Sequence, residues 1–158
     1  MNSCCIICEN ETIKNSNFTT RCKNCNFYVS KLKNGYGAPV EGINNIRSEN
    51  FKKIFSLLED KIHKGDRILE IGPGKGLFME LAKRKGIYIE GIEPGAKEAK
   101  KLSNKGFKIF NEEFPLSKTN NFSKYECIIF NDVLEHINVL KLKKSIKQCC
   151  LLLKKDGF

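Results

Sequence analysis

The sequence lacks any uninterrupted apolar stretch near the roughly 18 residues that a membrane-crossing helix needs, so no helical span is expected. A basic leader is missing too. Met1 to Asn10 has only Ile6 and Ile7 as an apolar centre, so no secretory signal is expected, and the eight cysteines do not read as a secreted disulfide framework. The expected home is the reducing cytoplasm. Arginine is scarce, with Arg21, Arg47, Arg67 and Arg84 the whole set, and the lysines behind the net charge of +10 are spread along nearly every segment. That dispersal reads as solvated surface and speaks against a clustered nucleic-acid groove, and the eleven Phe sit mostly at core-like positions instead of interleaving with a basic block. There is no internal repeat and no low-complexity tract. A chain of 158 residues has room for one full domain and a small appendage, which excludes two large domains.

What is present divides the chain in two. Five cysteines lie before residue 26, and Cys5-x2-Cys8 and Cys22-x2-Cys25 stand thirteen residues apart. Each pair can turn as a tight knuckle that aims two thiolates at one point, and two facing knuckles complete the tetrahedral sulfur site that zinc prefers. Redox use of either pair fits less well, because neither Glu9-Asn10 nor Asn26-Phe27 opens a helical period. Cys4 competes with Cys5 for one ligand position. The expected role of the metal is to staple a segment too short to bury a core of its own.

Residues 31–47 carry Gly35, Gly37, Pro39 and Gly42 and read as a linker. Ser48 is the expected N-cap of a helix with Phe51, Ile54, Phe55, Leu58 and Ile62 on one face, ending before Gly65. Strands are expected at Arg67 to Ile71, Ile87 to Ile92, Phe107 to Phe110 and Tyr125 to Phe130. Between the first two lies a helix holding Phe78, Leu81 and Ala82, and between the next two a helix opening at Pro94. A last helix runs from about Asn138, with Val139, Leu142, Ile146, Cys149 and Leu153 as its apolar face. Such alternation predicts an α/β fold with a doubly wound, mostly parallel, Rossmann-like sheet. The expected organisation is a zinc-ribbon-like segment at 1–30, a linker at 31–47 and an α/β domain at 48–158. Gly157-Phe158 reads as a helix stop and the first residue of a further strand, so the sheet is expected to be incomplete at its C-terminal side.

The turn Glu70-Ile71-Gly72-Pro73-Gly74-Lys75-Gly76 falls between the first strand of this sheet and its helix, where open parallel sheets bind ligands. A phosphate loop needs Ser or Thr after Lys75, and a dinucleotide fingerprint needs Gly at 77, where Leu77 stands. The remaining pattern, acid-x-Gly-x-Gly-x-Gly, resembles the first motif of the class I S-adenosylmethionine-dependent methyltransferases. The resemblance implies that Glu70 lies near the methionyl ammonium of the cofactor, with Gly72, Gly74 and Gly76 lining its site. Glu93, at the end of the second strand, would accept hydrogen bonds from the ribose hydroxyls. Glu112 would approach the adenine amino group, with Asn111 and Glu113 competing for that role.

Phe130-Asn131-Asp132-Val133-Leu134-Glu135-His136 is similar to an Asn/Asp-Val-Leu-Glu-His segment in one branch of that superfamily. It adds Asn131 and Asp132 to the cofactor site and offers His136 as a general base, oriented by Glu135. A purely structural role for this pair remains open, and His63, at a helix end, reads as structural. With the ribbon ligands Cys5, Cys8, Cys22 and Cys25, the pattern looks like the zinc-ribbon methyltransferases linked to sugar and glycan modification. The expected cofactors are S-adenosylmethionine and a structural zinc, and the expected acceptor is a small molecule or glycan precursor. Two rivals stay open: an RNA methyltransferase, disfavoured because Asn131-Asp132-Val133-Leu134 is not the amino-acceptor motif Asn/Asp-Pro-Pro-Tyr/Phe, and a non-catalytic remnant that only binds cofactor.

Overall fold

The computed structural model describes residues 4–30, 44–118 and 124–158. Three short strands, β1 (Thr12–Lys14), β2 (Thr19–Cys22) and β3 (Tyr28–Ser30), form an antiparallel meander. Alternation sorts their side chains: Thr12, Thr20 and Cys22 are buried, while Ile13, Arg21 and Tyr28 make one cross-strand row on the open face.

Four more strands, β4 (Arg67–Ile71), β5 (Tyr88–Ile92), β6 (Lys108–Phe110) and β7 (Cys127–Phe130), build a second sheet. All pairs are parallel and the order is β6-β5-β4-β7. The chain therefore winds outward from β4 to β6 and then crosses back to β7. This reversal opens a crevice at the C-terminal ends of β4 and β7. Helices α1 (Asn44–Leu57), α2 (Leu77–Arg84) and α3 (Ala96–Asn104) are tied to one face, where Phe55, Ile68, Phe78, Met79, Ala82 and Leu102 form a core. Phe78 anchors it, stacking on Phe55 at 4.5 Å and meeting Phe51 edge-on at 5.5 Å. On the other face α4 (Val139–Leu152) and the segment around Leu116 cover Leu69, Ile71, Ile92 and Tyr125. The doubly wound architecture matches the pattern of glycine-stopped helices and apolar strands. No helix among the described residues is long and apolar enough to cross a membrane.

Two local expectations are corrected. First, α1 begins at Asn44, four residues before Ser48, and ends at Leu57, so residues 44–47 of the expected linker are helical. Ile62 lies beyond the helix, though buried in the same core. The rest of the expected linker, 31–43, lies outside the described residues. Second, the packed face of α4 is Ser145, Gln148, Cys149 and Leu152, whereas Val139 and Ile146 are 43% and 48% exposed. Gln148 fixes this rotation, its side-chain oxygen accepting from Leu116 N at 2.7 Å and its amide donating to Leu116 O at 2.7 Å. Both are buried bonds, so leaving the Leu116 groups unpaired would cost about 1–3 kcal/mol each, enough to outweigh a more apolar stripe. At the outer edge of β7 the backbone of Phe158 pairs as the first residue of the expected further strand would. Leu153 bridges Tyr125 in parallel, and Phe158 donates to Glu126 O and accepts from Ile128 N.

A buried charge also sits inside the sheet. Glu90, fully buried on β5, is met by the guanidinium of Arg67, by Lys108 Nζ at 3.3 Å and by the Tyr125 hydroxyl, which donates at 2.7 Å. Burial pushes its carboxyl upward, but the Tyr125 and Arg67 hydrogen bonds and the two cations hold it below the ordinary carboxylate value. This network lies at the N-terminal end of the strands, opposite the crevice.

Candidate functional site

The crevice is built by backbone shape before any side chain enters it. After β4 the chain turns through Gly72, Gly74 and Gly76, with φ of 69°, 53° and 77°, a region that side chains with a Cβ disfavour. At Gly76 a Cβ would sit 2.2 Å from Leu102 Cδ2, so this residue lets the turn press on α3. At Gly74 a Cβ would meet nothing within 4 Å, because this residue faces open space. Glu93 fastens the turn from behind: its carboxylate accepts from Gly74 N at 2.9 Å and from Gly95 N at 2.8 Å. Asn111 extends the bracing, its amide donating to Glu93 O at 2.8 Å and Pro94 O at 3.1 Å.

The cleft that results has a volume of about 210 Å³ and is lined by Glu70, Gly72, Pro73, Gly74, Lys75, Asn131 and Asp132, with Arg47 and Phe51 from α1 and Leu77 and Phe78 from α2. Glu70 is 2% exposed. One carboxylate oxygen, Oε1, accepts from the Asn131 amide at 2.8 Å, and the other, Oε2, is buried without a hydrogen-bond partner among the described residues. Burial pushes this carboxyl up to about 7, and the nearby Glu93 charge adds to the push against the pull of Asn131. A buried acceptor left unmet costs about 1–3 kcal/mol, so the cleft presents an unfilled demand for a donor. Across the mouth Arg47 pairs with Asp132 at 3.1 Å, and Asp132 holds a left-handed φ of 56°.

The expected site residues separate into three groups. Glu70, Gly72, Gly74, Asn131 and Asp132 line the cleft, and Gly76 and Glu93 support it from behind. Glu112 lies instead in a neighbouring depression with Glu113, Ser117, Lys141 and Lys144. Glu135 and His136 are exposed on the short 3-10 turn Leu134–His136 and do not line the cleft. Arg47 and Phe51 were not anticipated as a pair. Their i, i+4 spacing would have placed both on one face, had the helix been extended back past Ser48.

The second constellation is sulfur. The Sγ atoms of Cys5, Cys8, Cys22 and Cys25 all lie within 4.8 Å of one another. Cys5 and Cys25 approach to 3.6 Å, Cys8 and Cys22 to 3.5 Å. A tetrahedron with Zn–S bonds of about 2.3 Å has edges of about 3.8 Å, so a set gathered within 4.8 Å is compatible with a structural zinc after small side-chain adjustments. The knuckle geometry is visible in the backbone, where Ile7 N donates to Cys5 Sγ and Asn24 N and Cys25 N donate to Cys22 Sγ. Hydrogen bonds from Asn10 pull the Cys8 thiol down to about 6, toward the thiolate a metal requires. Cys4 is exposed and stands outside the cluster, which leaves Cys5 as the ligand of that pair.

Fold and cleft together define a class: a Rossmann-like sheet with a glycine turn and a buried acid at a switch-point crevice. Comparison with known proteins agrees. A family described as "Methyltransferase domain" matches residues 43–158. The ubiquinone biosynthesis O-methyltransferase of Pelagibacter ubique (strain HTCC1062) is 32% identical over 137 residues, covering 78% of this chain and 55% of that protein. Among solved structures, magnesium protoporphyrin IX methyltransferase from Synechocystis PCC 6803, with S-adenosylmethionine bound, superposes with a TM-score of 0.59 at 18% identity over 76% of this chain and 62% of that one. An S-adenosylmethionine-dependent methyltransferase from Clostridium acetobutylicum gives 0.57 at 18% identity over 73% and 49%. The chain belongs to the class I methyltransferase-domain family, and it spans 55% of the length of this curated relative.

Proposed function

We propose that the chain binds S-adenosylmethionine in the cleft at β4 and β7 and transfers its methyl group to a small-molecule acceptor. One observation carries the reading: the buried, unpartnered Oε2 of Glu70 beside an open glycine turn, which suits a ligand with an ammonium at one end and a flat nucleoside at the other. When bound, the sulfonium supplies an electrophilic methyl for in-line displacement. The protein's task is alignment and exclusion of water. Glu70 receives the ammonium, held in place by Asn131. Arg47, freed from Asp132, takes the carboxylate. Gly74 offers bare backbone to the adenosine, and Glu93 meets the ribose from the loop after β5.

For a hydroxyl acceptor we assign His136 as the base, with Glu135 beside it, on the exposed turn that begins two residues after Asp132 and outside the cleft lining, where it would meet the acceptor and not the cofactor. The similarity to a ubiquinone-pathway enzyme supports a small-molecule acceptor, and the zinc-ribbon resemblance favours a glycan precursor within that class. We also propose residues 1–30 as a zinc-stapled unit ahead of a methyltransferase domain that takes in α1 from Asn44 and so begins a few residues before the expected boundary at 48.

Calorimetric titration with S-adenosylhomocysteine tests the reading. Binding of about −7 to −8 kcal/mol, in the micromolar range, is expected, weakened by about 1–3 kcal/mol in Glu93→Ala. Absence of saturable binding by the wild-type chain would overturn it. Transfer of labelled methyl to small hydroxylated acceptors, and not to bulk RNA, is the expected outcome of the paired activity assay.

A further inference from the structure

The Glu70 carboxyl is an unusual group to find in an unfilled site. It is enclosed by β4 itself, by Asn131 at the end of β7, by the glycine turn and by Phe78 of α2, and only one of its oxygens has a donor. The charged groups that share the cleft do little to neutralise it. Arg47 of α1 is engaged by Asp132, Lys75 of the glycine turn forms no ion pair among the described residues, and Glu93, from the loop after β5, repels a second negative charge. A carboxylate so placed has lost water without gaining a cation.

We propose that Glu70 holds a proton while the cleft is empty and surrenders it when a ligand's ammonium arrives, so that binding of the adenosyl amino acid is proton-linked and selective for the amino-acid end. The proposal rests on the cofactor reading above and deepens it. Its balance is simple: Glu70–COOH loses its proton to solvent, and the carboxylate forms a charge-assisted hydrogen bond from the incoming ammonium through Oε2. No other bond changes.

Linkage fixes the expected size. With the empty-site carboxyl half titrated near 7, and the bound form ionised throughout, about 0.9 proton is released per ligand at pH 6 and about 0.5 at pH 7. Apparent affinity therefore rises about 15-fold between pH 5.5 and 7.0, a window in which an α-ammonium stays charged.

The probe is S-adenosylhomocysteine, titrated calorimetrically into the full chain at pH 5.5, 6.0 and 7.0 in buffers of different ionisation enthalpy. The slope of observed heat against buffer enthalpy reads the protons released. The control ligand is 5′-methylthioadenosine, which keeps the nucleoside and lacks the amino acid, and its affinity should be flat over the same range. Glu70→Gln, checked for folding by circular dichroism, should make S-adenosylhomocysteine binding flat as well, and the wild-type proton count stands without that variant. Saturable but pH-flat binding with no buffer dependence would overturn the inference and leave the cofactor reading intact. Equal pH dependence with methylthioadenosine would also overturn it, since the titrating group would then not answer to the ammonium. No binding of either ligand at any pH would defeat the cofactor reading, and this inference with it.

Discussion

Replacing Gly74 and Gly76 separately by alanine should produce opposite failures, although the two residues are neighbours in one turn with similar φ. A non-glycine residue in the left-handed region costs about 1–2 kcal/mol, offset by about 0.4–1 kcal/mol from the smaller conformational freedom of the unfolded chain. At Gly74 little more is added, since its Cβ would meet nothing within 4 Å. The net cost there is about 1 kcal/mol. At Gly76 the Cβ would lie 2.2 Å from Leu102 Cδ2, and Leu102 is 1% exposed in the core beneath α3. Overpacking of that kind adds about 1–3 kcal/mol, for a total near 2–4 kcal/mol. For a domain of this size each kcal/mol shifts Tm by about 2–4 °C. Thermal unfolding should therefore fall by about 2–4 °C in Gly74→Ala and by about 4–16 °C in Gly76→Ala. S-adenosylhomocysteine affinity should drop tenfold or more in Gly74→Ala, whose methyl enters the cleft, and by less in Gly76→Ala measured well below its Tm. Equal melting shifts, or a Gly74→Ala protein that binds as tightly as the wild type, would refute the division of labour inside the turn.

Other consequences can be checked alongside. Arg47→Ala should weaken S-adenosylhomocysteine by about 1–3 kcal/mol while leaving methylthioadenosine unaffected, because only the former carries a carboxylate; equal loss for both ligands would remove Arg47 from that role. Metal analysis should find about one zinc per chain, lost in Cys22→Ser and retained in Cys4→Ser, and a metal-free wild type with a folded N-terminal meander would contradict the staple. Glu70 gives a pH dependence of stability with a definite sign. Its carboxyl is raised from 4.5 to about 7 in the folded protein, so the unliganded fold binds the extra proton and loses about 3 kcal/mol as pH rises from 4.5 through 7. Urea unfolding should show that loss in the wild type and not in Glu70→Gln. Tyr125→Phe leaves buried Glu90 short of a donor and should cost about 1–3 kcal/mol. Glu90, held below its ordinary value, contributes stability that is present above about pH 4.5 and fades as acid is added.

The sheet was legible because parallel strands buried on both faces leave apolar runs, as at Arg67–Ile71, and because Gly86 and Gly106 end their helices in the left-handed conformation. The glycine turn was legible because its chemistry is in the backbone. Rotation of α4 was not, since hydrophobicity alone points to Val139 and Ile146, while the decisive contact is between Gln148 and a backbone segment 32 residues away. The start of α1 was missed for want of a capping signal ahead of Ser48, and with it went Arg47 as a lining residue. Glu90 carried a signal that could have been used: an acid within a buried parallel strand must find partners, here Arg67, Lys108 and Tyr125. Nearness in sequence brought Asn131 and Asp132 to the cleft but not Glu135 and His136, because the chain enters a 3-10 turn after Val133 and carries the latter two outward.

Crystals of the chain grown with S-adenosylhomocysteine put the whole argument at risk in a single difference map. Density for the amino-acid end against Glu70 Oε2, with the nucleoside running past Gly74 toward Glu93, is the expected result. Ligand density confined to the depression at Glu112 and Lys141, with the cleft beside Glu70 still empty, would contradict it.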